Sequence, residues 1–427
     1  MVAHSSFFQQ WFSGDPGRLS QVDACRNFFR DNIGDVTNFR SHSAPNFPSY
    51  PVADDYRTWI EVDLGALRYN CRVAQACLLD AALPGIIAVV KADGYGLGMI
   101  RVAHAIADLV RAFAVANVCE AQELRRSGLE QPIYILGPAL PREWPAVAEG
   151  GFCPAVSNPA EVAGYAGAAR RIGRPLAVHA VVDTGMGRIG ALPADALDLV
   201  EMILHQPDLR LDSTASHFPS ADENPTATRE QAARCAELWS AMEAAGMPVA
   251  HTHLANSAGL MAYPQPENAS GRAGLMLYGV SPMPEEQNRL QSVLTWKTRV
   301  TLVRTLPEGH GVSYGSTWQT HRATRIATLA VGYADGFPRQ ASGQGAAVLL
   351  GGLRCPLLGR VTMDQIMVDT TDLPAAPQSG DEVVLVGCQG ASEITATELA
   401  EWGGTIAWDL FTGLGPRVKR CYSTLMD

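Results

Sequence analysis

Lysine is scarce in this chain. Of 33 basic residues among 427, only Lys91, Lys297 and Lys419 are lysines and the other 30 are arginines. Any chemistry that needs a primary amine therefore has three candidates. Lys297 lies inside a strand-like run and Lys419 in the basic tail segment PRVKRCY. Lys91 follows the apolar run IIAVV and opens ADGYGLG, which places it at the end of a strand beside glycines that permit close backbone approach. A lysine in that position can form a Schiff base with an aldehyde cofactor. A lone strand-end lysine is ordinarily a solvated turn residue, so its surroundings must decide. The arginine excess itself is a compositional preference.

The elements that must position Lys91 alternate in type. From Trp59, WIEVDL reads as a strand and ALRYNCRVAQACLL as a helix; PGIIAVV, AFAVA, PIYIL, FCPAVS, LAVHAVVD, LDSTASHF and VAHTHLA read as further strands. Ala-rich helical stretches such as PAEVAGYAGAARRIG and ATREQAARCAELWSAMEAAG lie between them. This pattern predicts an α/β fold, a (β/α)8 TIM-like barrel over residues 64–290, entered by a strand at 57–63. An open doubly wound sheet is the alternative, but no GxGxxG follows the first strand. After residue 290 the helices largely vanish, and VLTWKTRVTLVRTL, RIATLAVGY, AAVLLGG, IMVDTT and DEVVLVG predict a β-rich C-terminal domain over 291–427. Residues 1–56 stand apart: they lack lysine and glutamate and hold 10 of the 31 aromatics. Within them QVDACRNFFRDNI would form a short amphipathic helix, making this extension a stabilising or interface segment, with a trailing arm as the alternative.

A net charge of −10 argues against a nucleic-acid surface. No apolar run approaches the roughly 20 residues that span a bilayer. The N-terminus has no basic region followed by an apolar core, so no membrane or secretory role is expected and the cytoplasm is the default location. The nine cysteines form no CxxC pair or metal-ligand cluster, and no metal is expected.

With Lys91 as anchor, an ordered set of segments resembles the alanine racemase family, the pyridoxal 5′-phosphate enzymes of fold type III. The set comprises AVVKADGYGLG, VDTGMGRIG (182–190), SHFPSAD (216–222), HLANSAG (253–259), RAGLMLYGVSP (272–282), VSYGSTW with LAVGYADGFPR (312–339), RVTMDQ (360–365) and LGPRVKRCY (414–422). It runs from Thr58 to Tyr422, leaving the extension outside.

The resemblance implies interconversion of L- and D-alanine by two bases. Lys91 would hold the cofactor and serve one face of the substrate, and Tyr314 of VSYG, from the partner subunit of a homodimer, would serve the other. A free phenol titrates near 10. In the family, a chain from His217 through Arg272 to the pyridine nitrogen supports that tyrosine. An arginine can only donate to that nitrogen, leaving the ring a weaker electron sink than one paired with a carboxylate, so few side reactions are implied. Ser257, with the backbone of Gly274 and Leu275, matches the phosphate cup, and Tyr95 would add its hydroxyl. Arg188 and the backbone at Met363 match the substrate-carboxylate site. Tyr333, Asp222, Arg339 and Arg360 match the substrate entrance, and Asn256 a supporting position. The chain departs from the family at Val181, where many members carry a carbamylated lysine that steadies the arginine; at Thr362, where others have cysteine; and at Pro416, where some have a pocket-narrowing tyrosine. The proline at 416 opens the specificity to serine or larger amino acids. A decarboxylase would need an acidic residue where Arg272 stands, and a non-catalytic cofactor carrier would lack the β domain.

Overall fold

The computed structural model describes residues 56–78, 85–247, 251–266 and 269–423. The helix expected at QVDACRNFFRDNI lies outside them. The chain enters through β1 (Thr58–Val62) and α1 (Leu64–Ala76), whose N-cap Asp63 accepts from the Gly65 and Ala66 N–H groups. Eight parallel strands follow: β2 (Ile86–Val89), β3 (Ala112–Val115), β4 (Ile133–Ile135), β5 (Cys153–Val156), β6 (Leu176–Val181), β7 (Leu209–Ala215), β8 (Thr252–His253) and β9 (Gly271–Ala273). They pair in the order β8-β7-β6-β5-β4-β3-β2-β9. A parallel bridge between Thr252 and Ala269, with Ser270 N–H donating to Thr252 O at 2.8 Å, brings β9 back to β8 and nearly closes the barrel. Strands β2 to β5 are buried along their whole length, because helices cover one face and the barrel interior the other; this is why they read as unbroken apolar runs.

Several of the connecting helices start on a side chain that accepts from their first N–H groups. In α2 (Met99–Ile106), the Asp93 carboxylate accepts from the Met99 N–H. Asn117, Asn158 and Asn224 cap α3 (Val118–Arg126), α4 (Pro159–Ile172) and α5 (Pro225–Ala244), the last two with proline in the first turn.

Beyond the barrel the chain forms a nine-stranded sheet. Its long β10 (Leu294–Leu306) alternates between buried and partly exposed residues over its first half, as a strand with one covered face should. β1 belongs to this sheet, pairing antiparallel with β10 (Trp59 opposite Lys297) and parallel with the C-terminal strand Lys419–Tyr422. Lys297 is spent here: its amine pairs with Glu61 at 3.0 Å and Glu382 at 3.1 Å. Two short helices that the pattern after residue 290 did not announce, α6 (Ala396–Trp402) and α7 (Ala407–Thr412), return toward the barrel. One hydrophobic cluster runs through both parts, from Phe113 and Val178 in the barrel to Trp296, Phe337 and Phe411. Among the described residues no helix is long and apolar enough to cross a membrane, the eight cysteines are free thiols, and no cluster of His, Cys, Asp and Glu has metal-ligand geometry.

Candidate active site

Lys91 sits at the carboxyl end of β2, where the chain makes a left-handed turn. Ala92, Asp93, Gly94 and Tyr95 all have φ between 53° and 62°. Each non-glycine residue there costs about 1–2 kcal/mol, so the surroundings must impose the turn. Gly94 N–H donates to Val90 O at 2.9 Å and Gly96 N–H to Ala92 O at 2.8 Å. From the C-terminal strand, the Tyr422 hydroxyl donates to Leu97 O at 2.9 Å and Arg420 Nε to Gly96 O at 3.1 Å. A methyl group on Gly96 would strike the Phe411 carbonyl and one on Gly98 the Tyr422 hydroxyl. The β domain thus rests on the turn that presents Lys91.

Above the strand ends lies a cavity of about 550 Å³ lined by Lys91, Tyr95, Arg188, His217, Ser257, Arg272, Gly274 and Leu275, with Asp222, His179, His253 and Trp408 also in its wall. The fold therefore collects eight of the expected site residues. Burial, then the nearby Arg188 charge, lowers the affinity of Lys91 for its proton, while Glu120 opposes them. Tyr95 stacks on Tyr278 at 4.5 Å, and burial pushes its phenol up to about 12. The Ser257 hydroxyl, at the start of the short helix Ser257–Ala262, accepts from the Gly274 N–H at 3.1 Å and the Met276 N–H at 3.3 Å. Asn256 caps that helix by accepting from the Gly259 N–H at 2.9 Å. A methyl on Gly274 would lie 2.6 Å from the Tyr95 hydroxyl, so glycine keeps this wall open.

Arg272 is buried in the cavity wall, and among the described residues no carboxylate pairs with it. Its guanidinium donates to His253 Nδ1 at 2.5 Å, His217 Nδ1 at 2.9 Å, Ser216 O at 2.7 Å and Leu254 O at 3.0 Å, and also to His253 O. Burial, then Arg188, lowers its pKa to about 10, which still leaves it charged near neutrality. Because an arginine only donates, both imidazoles must accept at Nδ1 and carry their proton on Nε2. Burial and the Arg272 charge lower His217 to about 3 and hold His253 well below its ordinary value. Burial lowers His179 to about 4.

Acid should therefore destabilise the fold. Below about 6.5 the unfolded chain takes up protons that these imidazoles refuse, so their stabilisation is complete above that value and is lost as pH falls toward their folded values. At pH 5 the loss is about 2 kcal/mol for each of the fully buried pair His179 and His253. Urea unfolding at pH 7.5 and pH 5, at fixed protein concentration, measures it; equal stabilities would contradict the assignment.

Three expected site residues lie elsewhere. Tyr314, Tyr333 and Met363 are 71%, 42% and 52% exposed on the β domain, and none lines the Lys91 cavity. The chain draws them toward one another: Tyr333 N–H donates to Thr362 O and Ala334 N–H to Met363 O, both at 3.0 Å, while the Ser313 hydroxyl donates to Arg360 O at 2.6 Å. Arg339 and Arg360 are also exposed and outside the cavity. Val181 packs with Ala155, Ala215 and Ile189, so it adds an apolar surface where a charged side chain would be expected. Pro416 is exposed and contributes nothing to the cavity, whereas Trp408 does. Trp408, His179 and His253 carried no role in the sequence reading; two of them sit at alternate positions of apolar strands, and the third in a stretch read as β-rich.

These features define a (β/α)8 barrel with a lysine amine in a cavity at the carboxyl ends of its strands. Residues 62–282 match the family described as alanine racemase, N-terminal domain, and residues 293–422 that described as alanine racemase, C-terminal domain. The alanine racemase of Symbiobacterium thermophilum is 43% identical over 371 residues, covering 86% of this chain and 97% of its own length. That of Methylacidiphilum infernorum is 38% identical over 378 residues, covering 88% and 94%. Among solved structures, alanine racemase from D-cycloserine-producing Streptomyces lavendulae superposes with a TM-score of 0.80 at 34% identity, covering 87% of this chain and 98% of that one. The Bacillus anthracis enzyme with bound L-Ala-P gives 0.76 at 34% identity, covering 85% and 94%. The chain belongs to the alanine racemase family.

Proposed function

We propose that this protein interconverts L- and D-alanine with pyridoxal 5′-phosphate held at Lys91, and that it works as a homodimer whose copies complete each other's sites. The observation that carries this reading is the division of the candidate residues: one cavity holds Lys91, Arg272 and the Ser257 hydroxyl, while Tyr314 stands exposed outside it.

The donor set suits the cofactor. Lys91 offers the amine for its aldehyde, the Ser257 hydroxyl with the Gly274 and Leu275 backbone and the Tyr95 hydroxyl offer a place for its phosphate, and the methyl-free Gly274 leaves room there. Arg272 offers a donor to its ring nitrogen. When bound, the cofactor supplies a carbonyl that condenses with amines and a ring that takes up the electron pair released when a Cα–H bond breaks.

The protein's own groups then divide the proton transfers. Racemisation needs an acid and a base on opposite faces of the α-carbon, since one group alone returns the proton to the face it came from. Lys91, whose burial favours the neutral amine, serves one face. The partner subunit's Tyr314 serves the other. The Nε2–H of His217, left free by the Arg272 bond at Nδ1, is a donor suited to a phenolate oxygen and makes loss of the phenolic proton easier. Arg188 offers its charge to the substrate carboxylate, with the Met363 backbone and Tyr333 contributed from the exposed face.

Pro416 leaves the cavity wall to Trp408, which favours a second reading in which serine is also a substrate. A chiral assay over a panel of amino acids decides between them: alanine turning over fastest supports the first, a higher kcat/KM for serine the second, and carbon dioxide release from diamino acids would overturn both. The cytoplasm, and supply of D-alanine for peptidoglycan, are the setting such an activity fits.

A further inference from the structure

Glu120 is the third residue of α3, three positions after its Asn117 cap, and α4 repeats the arrangement with Glu161 after Asn158. Both glutamates accept from the backbone N–H four residues earlier, Glu120 from Ala116 at 2.8 Å and Glu161 from Ser157 at 2.7 Å. Only Glu120 reaches further: its other oxygen accepts from the Ala92 N–H at 2.7 Å, across 28 residues. Ala92 is the first left-handed residue after Lys91 and has no freedom from a missing side chain.

We propose that Glu120 is a positioning residue for Lys91: its carboxylate ties the strained turn after the lysine to the end of β3 and sets a negative charge facing the amine. This role presupposes the function given above. Of the other charged or titratable groups in the cavity wall, Arg188 disfavours the ammonium, and Arg272, His217, His179, His253, Tyr95 and Asp222 complete the set. Glu120 opposes the cations and limits how readily Lys91 becomes neutral. Only the neutral amine condenses with an aldehyde, its two hydrogens leaving with the carbonyl oxygen as water.

Glu120→Gln tests both halves, because the amide keeps the shape but offers one acceptor where two backbone donors converge. In the chain without added cofactor, hydrogen exchange at Ala92 should be slow in the wild type and about tenfold faster or more in Glu120→Gln. Uptake of pyridoxal 5′-phosphate, followed by absorbance across pH, should have its midpoint shifted to lower pH. Glu161→Gln, which can alter only the local bond, should leave both unchanged. Wild-type exchange and midpoint in Glu120→Gln would overturn the assignment, as would an equal midpoint shift in Glu161→Gln. A wild-type chain that takes up no cofactor would defeat the functional reading instead, and the exchange measurement would then decide the role of Glu120 by itself. Should Glu120→Gln not fold, unprotected Ala92 in the wild type overturns the role and slow exchange there supports it.

Discussion

Lys91→Ala should yield a folded protein that shows no bound-cofactor absorbance and loses racemisation by about 10⁴-fold or more. The loss is large because one substitution removes both the covalent tether and one of the two proton-transfer groups; a positioned acid or base alone accounts for about 10²–10⁴-fold. Neither other lysine can substitute. Lys297 is fixed between Glu61 and Glu382, and Lys419 lies in the edge strand that pairs with β1. The fold should survive, because among the described residues Lys91 makes no ion pair and it stands at a cavity wall rather than in the core. Absorbance titration with pyridoxal 5′-phosphate and a chiral alanine assay check the result; a variant that kept either signal would contradict it.

Tyr314→Phe should separate the two faces of the reaction. The ring stays and only the hydroxyl goes, so a phenol acting as acid or base is removed with little else changed. Racemisation should fall by about 10³-fold, while exchange of the α-proton with deuterated solvent persists from one enantiomer, served by Lys91. The side chain is 71% exposed in the single chain, so stability should change by no more than about 0.5 kcal/mol. Equal loss of exchange from both enantiomers would contradict a two-base division.

How far the sequence carried these expectations depends on the range of the forces involved. The first barrel strands are legible because they are buried on both faces, and IIAVV, AFAV and IYI have no other home. Lys91 is legible because it follows such a strand. The place of β1 is not: WIEV reads correctly as a strand, but its partners begin at Leu294 and Lys419, more than 200 residues away. The left-handed turn is equally hidden. Gly94 and Gly96 hint at it, yet the groups that hydrogen-bond the backbone around Ala92, Asp93 and Tyr95 come from Glu120, Arg420 and Tyr422, far away in the chain. Glu120 itself reads as an ordinary helix-start acid, and nothing local distinguishes it from Glu161. The short helices α6 and α7 escape a reading tuned to strand turns, and Trp408 arrives at the cavity on the second of them.

A site assembled from two copies makes one demand that a single-chain site does not. Lys91→Ala and Tyr314→Phe, each nearly inactive alone, are mixed under conditions where subunits exchange. Each mixed dimer then regains one site with both groups intact, and random pairing in equal amounts should restore about a quarter of wild-type racemase activity. Activity that stays at the level of the separate variants, with exchange verified by mass, would contradict a site shared between Lys91 of one copy and Tyr314 of the other.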